Sequence, residues 1–366
     1  MGKGFRCCLT VGLLAGLCIL LFYFIDNRRA FQIVLLLPEE LSFQFTATKP
    51  FLFSSLEGFF EENGAKVKVI ACYYRHGEAV DPLLDTLALD PFPKVLYWFG
   101  DPAMLKDSGK LKAFSLVFSL YPILLKDLSA HTQIYSLYGS MESFATAIQR
   151  LVESEKARHL KIIADQRHAV LFAQVPSLAE NILNGISVDF QWVPVEDCEG
   201  LPLGAGETSD YAGLPETLFL FLCEPESAVQ ILRSWSTVPR HRIILSPWSV
   251  AVDTLYTDTS KLEGIRFLLK PSLTEVSTPF MLDEPIFPWA AYAVEASKAF
   301  FTGYISGETD LKAELYKGTE PYFSRLLQKH RHALQESGWI LWEYAPEGFQ
   351  KRKCYDPLSL GWEECP

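Results

Sequence analysis

The fold is indicated most directly by FQIVLLL at Phe31–Leu37 and VKVIACYY at Val67–Tyr74, which flank a helical stripe over Pro50–Asn63. A run as apolar as the first is typical of a strand buried on both faces, in a parallel sheet covered by helices. Pro38 ends this run, and Gly64 closes the helix as a C-cap. The order of strand, helix and strand predicts a βαβ unit with parallel strands.

The same alternation recurs along the chain. Further strands are predicted at Lys94–Phe99, Phe114–Ser119, Leu160–Ala164, Val188–Val193, Leu218–Leu222, Arg242–Leu245, Gly264–Leu269 and Gly338–Tyr344. Amphipathic stretches predict helices at Ser140–Ser154, Ala169–Asn184, Ser227–Trp235 and Trp289–Thr302. Two runs of strands, divided near residue 139, predict an α/β protein with two doubly wound parallel-sheet lobes, a single larger sheet being the alternative. The tail after Tyr344 is predicted to be loop-like.

The N-terminal segment has a different character. Cys7–Ile25 is almost entirely apolar, and its length is close to the roughly 20 residues that span a bilayer as a helix. Basic side chains and the free amine precede it, which favours a cytoplasmic N-terminus. The bulky exit Phe22–Ile25 is poorly suited to cleavage. We therefore expect residues 1–29 to be a cytoplasmic stub and a transmembrane signal anchor, with a cleaved signal, or a lipoprotein signal at Cys18, as alternatives.

Composition excludes several classes of protein. The net charge is −11, so a basic footprint for nucleic acid is absent. A hydrophobic fraction of 49% excludes a disordered chain. The cysteines lack zinc spacing, and the sequence has no GxGxxG, Walker A, HExxH or GxSxG motif. We therefore expect no metal, no cofactor and no enzymatic activity. Cys354 and Cys365 are close enough in sequence to bridge, but the sequence leaves this open.

Six phrases carry a family resemblance by their order and spacing. They are FFEENG at 59–64, KVLYWFG at 94–100, LKIIAD at 160–165, LEGIRF at 262–267, AAYAVEA at 290–296 and GWILWE at 338–343. Together they resemble the type I periplasmic-binding fold of branched-chain amino-acid-binding proteins and receptor ligand-binding domains, over about residues 30–350. The resemblance implies a hinge of three crossings, with residues 30–138 plus 260–320 in lobe I and 139–259 plus 321–366 in lobe II.

The resemblance also implies a function. A protein of this kind captures a small polar ligand, such as an amino acid, in a cleft that closes by hinge rotation. With an N-terminal anchor it would be tethered outside the cytoplasm and would serve an ABC-type permease or a membrane sensor. The alternative is a non-catalytic interaction or structural domain that kept the fold and lost the ligand.

Candidate ligand-binding residues follow from the rule that ligands lie beyond the carboxyl ends of parallel strands. The rule selects Tyr74, Asp101 and Ser119 in the first lobe, and Asp165, Glu224 and Trp248 in the second. Asp165 is the first choice, because a carboxylate at a strand end could receive a ligand ammonium. Each residue also has a structural alternative. Asp165 could cap the helix at Ala169–Asn184, Asp101 and Glu224 suit helix N-termini, Ser119 could bond its own backbone, and the two aromatic rings could roof the cleft.

The loop after the third strand departs from the family pattern. Amino-acid binders of the family hold the ligand carboxylate with hydroxyls and backbone amides there. This chain instead has Gly100, Asp101, Pro102 and Ala103. Pro102 has no N–H to donate, and Asp101 would repel a carboxylate. The departure disfavours an ordinary α-amino acid and favours a cationic, neutral or aromatic ligand, or none.

Overall fold

Two β-sheets form the framework of the protein. The computed structural model describes residues 31–39, 42–62, 67–75, 80–89, 94–99, 111, 114, 116–123, 134–136, 138–165, 187–193, 216–223, 225–235, 238–247, 249, 263–269, 294, 338–356 and 358–365. Within these ranges one sheet has five strands and the other has eight. Two sheets rather than one larger sheet are therefore present, as the repeated strand runs predict.

The described pairings of the first sheet are all parallel, in the order β2-β1-β3-β4-β5. Its elements along the chain are β1 (Phe31–Pro38), α1 (Ser42–Glu62), β2 (Val67–Tyr74), α2 (Asp81–Leu89), β3 (Lys94–Trp98), β4 (Leu116–Ser119) and β5 (Ile134–Ser136). Residues 33–37 of β1 are fully buried. Alternate side chains of this run enter two different cores, one with α1 and one with α2, which is why the run is continuously apolar.

The second sheet is parallel on one side and antiparallel on the other, in the order β13-β12-β11-β10-β9-β8-β6-β7. Its elements are α3 (Met141–Ser154), β6 (His159–Asp165), β7 (Ser187–Val193), β8 (Thr217–Leu222), α4 (Pro225–Ser234), β9 (Ile243–Leu245), β10 (Arg266–Leu269), β11 (Trp339–Ala345), β12 (Gly348–Asp356) and β13 (Gly361–Glu364). β6 to β10 pair in parallel, whereas β10 to β13 pair antiparallel. α3 and α4 contribute to two separate cores of this sheet.

Helix α3 shows how the sequence builds this packing. Ser140 is its N-cap, and the Ser140 hydroxyl accepts a hydrogen bond from the Ser143 amide at 3.0 Å. The buried side chains of α3 recur at helical spacing and join the core on one face of the second sheet. The ring of Phe144 lies 5.3 Å from that of Trp339 on β11. The Trp362 indole donates to the Ala147 carbonyl at 2.9 Å, so β13 is tied to the same helix.

The predicted boundary at residue 260 is wrong for one strand. Residues 260–320 were assigned to lobe I, but β10 pairs with β9 and β11 of the second sheet. Its side chains explain this position, because Phe267 and Leu268 enter the cores on opposite faces of that sheet. The segment 270–337 lies outside the described residues apart from Val294, so the remaining boundaries stay a prediction.

Two local predictions are also corrected. α1 begins at Ser42 rather than at Pro50, which lies inside the helix. Proline has no N–H, so the helix lacks one backbone hydrogen bond at this position. Pro50 is exposed, so the helix lacks that bond on its solvent side. The tail is not loop-like, because β12 and β13 form an antiparallel hairpin that extends the sheet. Tyr355 is buried on this hairpin and packs against the ring of Trp362 at 5.4 Å.

The predicted N-terminal anchor lies outside the described residues, which begin at Phe31. Among the helices that are described, none combines the length and the apolar character required to cross a bilayer. The predicted helix at Ala169–Asn184 and most of that at Trp289–Thr302 also lie outside the described ranges.

Candidate functional site

The carboxyl edge of the first sheet carries an aromatic pair. Tyr74 ends β2 and Trp98 ends β3, and β1 lies between these strands. Their rings stack at 5.9 Å between centroids with 16° between planes, and both side chains are buried. Tyr74, a predicted ligand residue, is thus placed at the predicted edge. In this structure its ring contacts another ring of the protein.

An exposed ion pair lies beside this aromatic pair. Arg75 Nε is 2.8 Å from Glu39 Oε2, and the two residues directly follow β2 and β1. The side chains are 68% and 48% exposed, so water screens their attraction and the pair adds little stability. The guanidinium already has a carboxylate partner. An incoming anion would therefore compete with Glu39 for Arg75.

Ser119 ends β4 at the same edge and is completely buried. Its hydroxyl donates to the Tyr121 carbonyl at 2.9 Å, and the Ser136 hydroxyl donates to the same carbonyl at 3.1 Å. Two hydroxyls thus hold the turn that follows β4. This geometry is that of a side chain bonded to its own loop, the structural alternative for this serine.

The carboxyl edge of the second sheet holds Asp165. This residue is the last of β6, with Val193 of β7 as its Cα partner and β8 on the other side. It therefore belongs to the strand, whereas the sequence places it just after. Three predicted site residues lie outside the described residues: Asp101, Glu224 and Trp248.

A buried hydroxyl cluster joins the ends of β8 and β9. Ser249 Oγ lies within 3.0 Å of the Phe221 carbonyl, 2.7 Å of the Cys223 carbonyl and 3.1 Å of both the Cys223 amide and Ser246 Oγ. Ser246, Ser249 and Cys223 are all buried. The Ser249 hydroxyl thus accepts from the Cys223 amide, and its one proton has the Phe221 and Cys223 carbonyls as alternative acceptors where β8 ends.

Two cysteines near these edges, Cys72 on β2 and Cys223 after β8, are not in a disulfide bond. Burial raises the pKa of the Cys72 thiol, so this thiol is protonated at neutral pH and a weak nucleophile. Within the described part of the chain, no group of three His, Cys, Asp or Glu side chains is arranged to hold a metal ion.

Sequence reasoning missed two features of these edges. Trp98 was assigned only to the strand interior, although a bulky aromatic residue at a strand end could have signalled the stack with Tyr74. Ser249 was not selected, although a short hydroxyl three residues after a strand end is the residue type that bonds free backbone groups. Both features organise the strand ends at which the predicted ligand residues lie.

The fold is similar to that of solved solute-binding proteins. A leucine-binding protein LivK from Thermotoga maritima aligns with a TM-score of 0.63 and 11% identity, over 90% of this chain and 100% of that chain. LivJ from Streptococcus pneumoniae in complex with isoleucine gives 0.61 and 11%, over 92% and 100%. A solute-binding protein from R. palustris in complex with benzoate gives 0.59 and 11%, over 88% and 95%. No family model and no curated protein sequence matches the chain.

Proposed function

We propose that this chain, whose fold is the type I periplasmic-binding-protein fold, is a membrane-tethered extracytoplasmic solute-binding protein. The parallel strands of its two sheets, β1 to β5 in the first and β6 to β10 in the second, are the observation that carries the proposal, because each set presents strand ends where ligands of open α/β sheets bind. The ligand would lie between the lobes and would be trapped by their closure. The proposed role is non-catalytic delivery to an ABC-type permease or a membrane sensor.

The disulfide supports a location outside the cytoplasm. Cys354 on β12 is bonded to Cys365 after β13. Such bonds persist in the periplasm and in extracellular space, whereas cytosolic thiols are kept reduced. This bond agrees with an N-terminal anchor that leaves the sheets outside the cytoplasm.

The edges favour a ligand without an ordinary α-carboxylate at its core. The Ser119 hydroxyl is buried and donates to Tyr121, so it is not presented to a ligand. Asp101 and Asp165 would attract a cation and repel an anion, and Tyr74, Glu224 and Trp248 complete the proposed site. The similar proteins are described with leucine, isoleucine or benzoate, so an aromatic or amino-acid-like solute of cationic or neutral character is the proposed class.

The proposed lobes follow the predicted division with one change. Lobe I takes residues 30–138 and the part of 260–320 that follows β10. Lobe II takes residues 139–259, β10 itself and residues 321–366. Crossings near residues 138, 270 and 320 would form the hinge.

A thermal-shift screen of the purified chain tests the function. The compounds are amino acids, polyamines, amides, sugars and aromatic carboxylates, each at several concentrations. A compound that raises the melting temperature in proportion to the logarithm of its concentration supports the proposal. Small-angle scattering with and without that compound then tests closure, which predicts a smaller radius of gyration. A compound that binds without compaction would contradict closure.

A second candidate function rests on the buried state of Ser119. Because its hydroxyl is used inside the protein, the chain fits a non-catalytic interaction or structural domain that lost its ligand. No thermal shift with any class of compound, together with unchanged scattering, would favour this alternative over a solute-binding protein.

A further inference from the structure

A cluster of basic side chains lies at the amino edge of the second sheet. Arg242 directly precedes β9, Arg266 is the first residue of β10, and these two strands are parallel neighbours. Arg240 packs against Gly264, and a Cβ atom at position 264 would lie only 3.2 Å from Arg240 Cβ. Asp165 ends β6 at the opposite edge, so this cluster is separate from the proposed ligand site.

Arg266 is buried, and its guanidinium group forms a hydrogen bond through Nη1 but not through Nε or Nη2 within the described residues. Its Nη1 donates to Glu155 Oε2 at 3.0 Å, and the side chain is 6% exposed. Within the part of the chain that the structure describes, its Nε and Nη2 have no hydrogen-bond partner. These two N–H groups form the side edge of the guanidinium, which is the edge that binds an oxyanion with two parallel hydrogen bonds.

The neighbouring carboxylates are engaged elsewhere. Glu155 also accepts from Lys353 Nζ at 2.7 Å, and Glu343, the Cα partner of Arg266, accepts from Arg352 Nε at 3.0 Å. Each carboxylate thus serves at least one further cation. The cations of this region, which are Arg240, Arg242, Arg266, Arg352 and Lys353, outnumber the carboxylates Glu155, Glu343 and Glu263, in a chain whose net charge is −11.

Arg240 and Arg242 repeat the pattern seen in Arg266. The Nη1 atom of each is buried and has no hydrogen-bond partner among the described residues, although both residues are only half-buried overall. A buried charged donor without an acceptor is costly. Buried donors without a described acceptor therefore come from three side chains, two of which are partly exposed elsewhere.

We propose that Arg240, Arg242 and Arg266 bind a tetrahedral oxyanion of the phosphate or sulfate type at the amino edge of the second sheet. Such an anion has acceptor oxygens in several directions, whereas a planar carboxylate offers two. Charge-assisted hydrogen bonds from several guanidinium groups are the usual protein contacts to phosphate. The site would take free phosphate or the phosphate group of a larger molecule.

The test measures binding of inorganic phosphate to the purified full chain by calorimetry and by thermal shift. Sodium chloride at equal ionic strength serves as the reference for general charge screening. Arg242→Gln removes one charge and keeps a polar side chain. Loss of one charge-assisted hydrogen bond predicts roughly tenfold to hundredfold weaker phosphate binding. Arg240→Gln should give the same direction.

Arg158→Gln is the matched control. Arg158 lies at the same edge, just before β6, but its Nε is 2.8 Å from Glu216 Oε2 and its side chain is 77% exposed. This variant should bind phosphate like the wild type. Without phosphate, Arg242→Gln should melt at the same temperature as the wild type or higher, because one positive charge leaves a cluster with an excess of them.

Three results would overturn the proposal. They are absence of a phosphate effect beyond that of sodium chloride, equal losses in Arg158→Gln and Arg242→Gln, and phosphate affinity unchanged in both Arg240→Gln and Arg242→Gln. Glycerol phosphate separates the two sources of the anion. Binding of inorganic phosphate alone assigns a free anion, and tighter binding of glycerol phosphate assigns an esterified phosphate group. Failure of this site would leave the proposed solute-binding function untouched, because the two sites lie at opposite edges.

Discussion

Asp165 is an ionisable residue at the carboxyl end of a strand that has parallel neighbours on both sides. It is the terminal residue of β6, which is flanked on both sides by parallel strands. A carboxylate at such a position lies where ligands of parallel sheets bind. Its proposed role is therefore to receive a cationic group of the ligand.

Asp165→Asn tests this role. If lobe closure buries a carboxylate–ammonium pair, the loss of one partner costs about 3–5 kcal/mol, which is roughly a hundredfold or more in affinity. The melting temperature of the free chain should change little. Calorimetric titration with the ligand found in the screen measures the effect. Glu216→Gln, a carboxylate at the opposite edge of the sheet, should leave affinity unchanged; equal affinity for both variants and the wild type would exclude the role of Asp165.

At the scale of single residues, the sequence predicted positions better than partners. Tyr74, Ser119 and Asp165 all end strands, as the positions of apolar runs imply. That Ser119 donates to Tyr121, or that Tyr74 stacks on Trp98, depends on the tight turn after β4 and on the order of strands in space. Strand order is a tertiary property, and no local pattern specifies it.

Glu155 joins three elements at the end of α3. It follows the helix and accepts hydrogen bonds from Arg266 on β10 and Lys353 on β12. Burial raises the pKa of this carboxyl group, but the charges and hydrogen bonds of the two cations outweigh burial and bring its pKa below the ordinary value. The charged form is therefore favoured by folding.

Glu155→Gln should destabilise the protein by about 3 kcal/mol at neutral pH, because Arg266 loses its buried partner. A lowered folded-state pKa contributes stability above the unfolded-state pKa of about 4.5, and this contribution is lost as pH falls through the folded-state value. Denaturant unfolding at a series of pH values should therefore show the wild type and the variant converging in acid.

The control for this prediction is Glu153→Gln on the same helix. Glu153 pairs with Arg150 across one helical turn, and both side chains are about 40% exposed. An exposed pair of this kind contributes well below 1 kcal/mol. A loss at Glu153 as large as that at Glu155, or a difference that persists unchanged in acid, would contradict the assigned role.

The C-terminal hairpin is an element that the sequence analysis missed. Proline and glycine at 346–366 indicated a loop, but Gly348–Asp356 forms the strand β12, which pairs with β11 and β13. The Cys354–Cys365 bond then closes the hairpin at its open end. Sequence proximity allowed this bond without deciding it, because the strand register that brings the two Cα atoms to 5.2 Å was unknown.

Removal of this bond should weaken the hairpin. The bond closes a loop with a sequence separation of 11, and the chain-entropy relation predicts about 2–3 kcal/mol of stability for such a loop. A double variant, Cys354→Ser with Cys365→Ser, should unfold at lower denaturant concentration than the wild type. Reductant should lower the stability of the wild type and leave the double variant unchanged. Equal sensitivity to reductant in both proteins would contradict the assigned contribution.

At the scale of the whole molecule, the two-sheet architecture followed from hydrophobic pattern alone. β1, β3 and β8 are buried runs whose positions the sequence marks within one or two residues. The place of β10 did not follow, because a strand with only three apolar residues, Phe267 to Leu269, fits either sheet. Its pairing with β9 on one side and β11 on the other assigns β10 to the second sheet. Patterns thus define elements, and contacts distant in sequence assign them to sheets.

The N-terminal segment and the disulfide both bear on the compartment in which the protein resides. Cys7–Ile25 predicts an uncleaved anchor, and the Cys354–Cys365 bond favours an oxidising space for the sheets. Full-length chain should therefore remain in the membrane fraction after carbonate or high salt, because an apolar span is held by lipid rather than by charge. In intact cells, a membrane-impermeant protease should degrade the domain.

Mass spectrometry of the mature N-terminus decides between the alternatives. Retention of Met1 or Gly2 supports the anchor, and an acylated Cys18 at the N-terminus supports the lipoprotein. A soluble species that begins near residue 30 would show that the segment is a cleaved signal. Labelling of Cys354 and Cys365 by a thiol reagent in freshly isolated, unreduced chain would contradict the oxidising location, because both thiols are consumed when the bond is present.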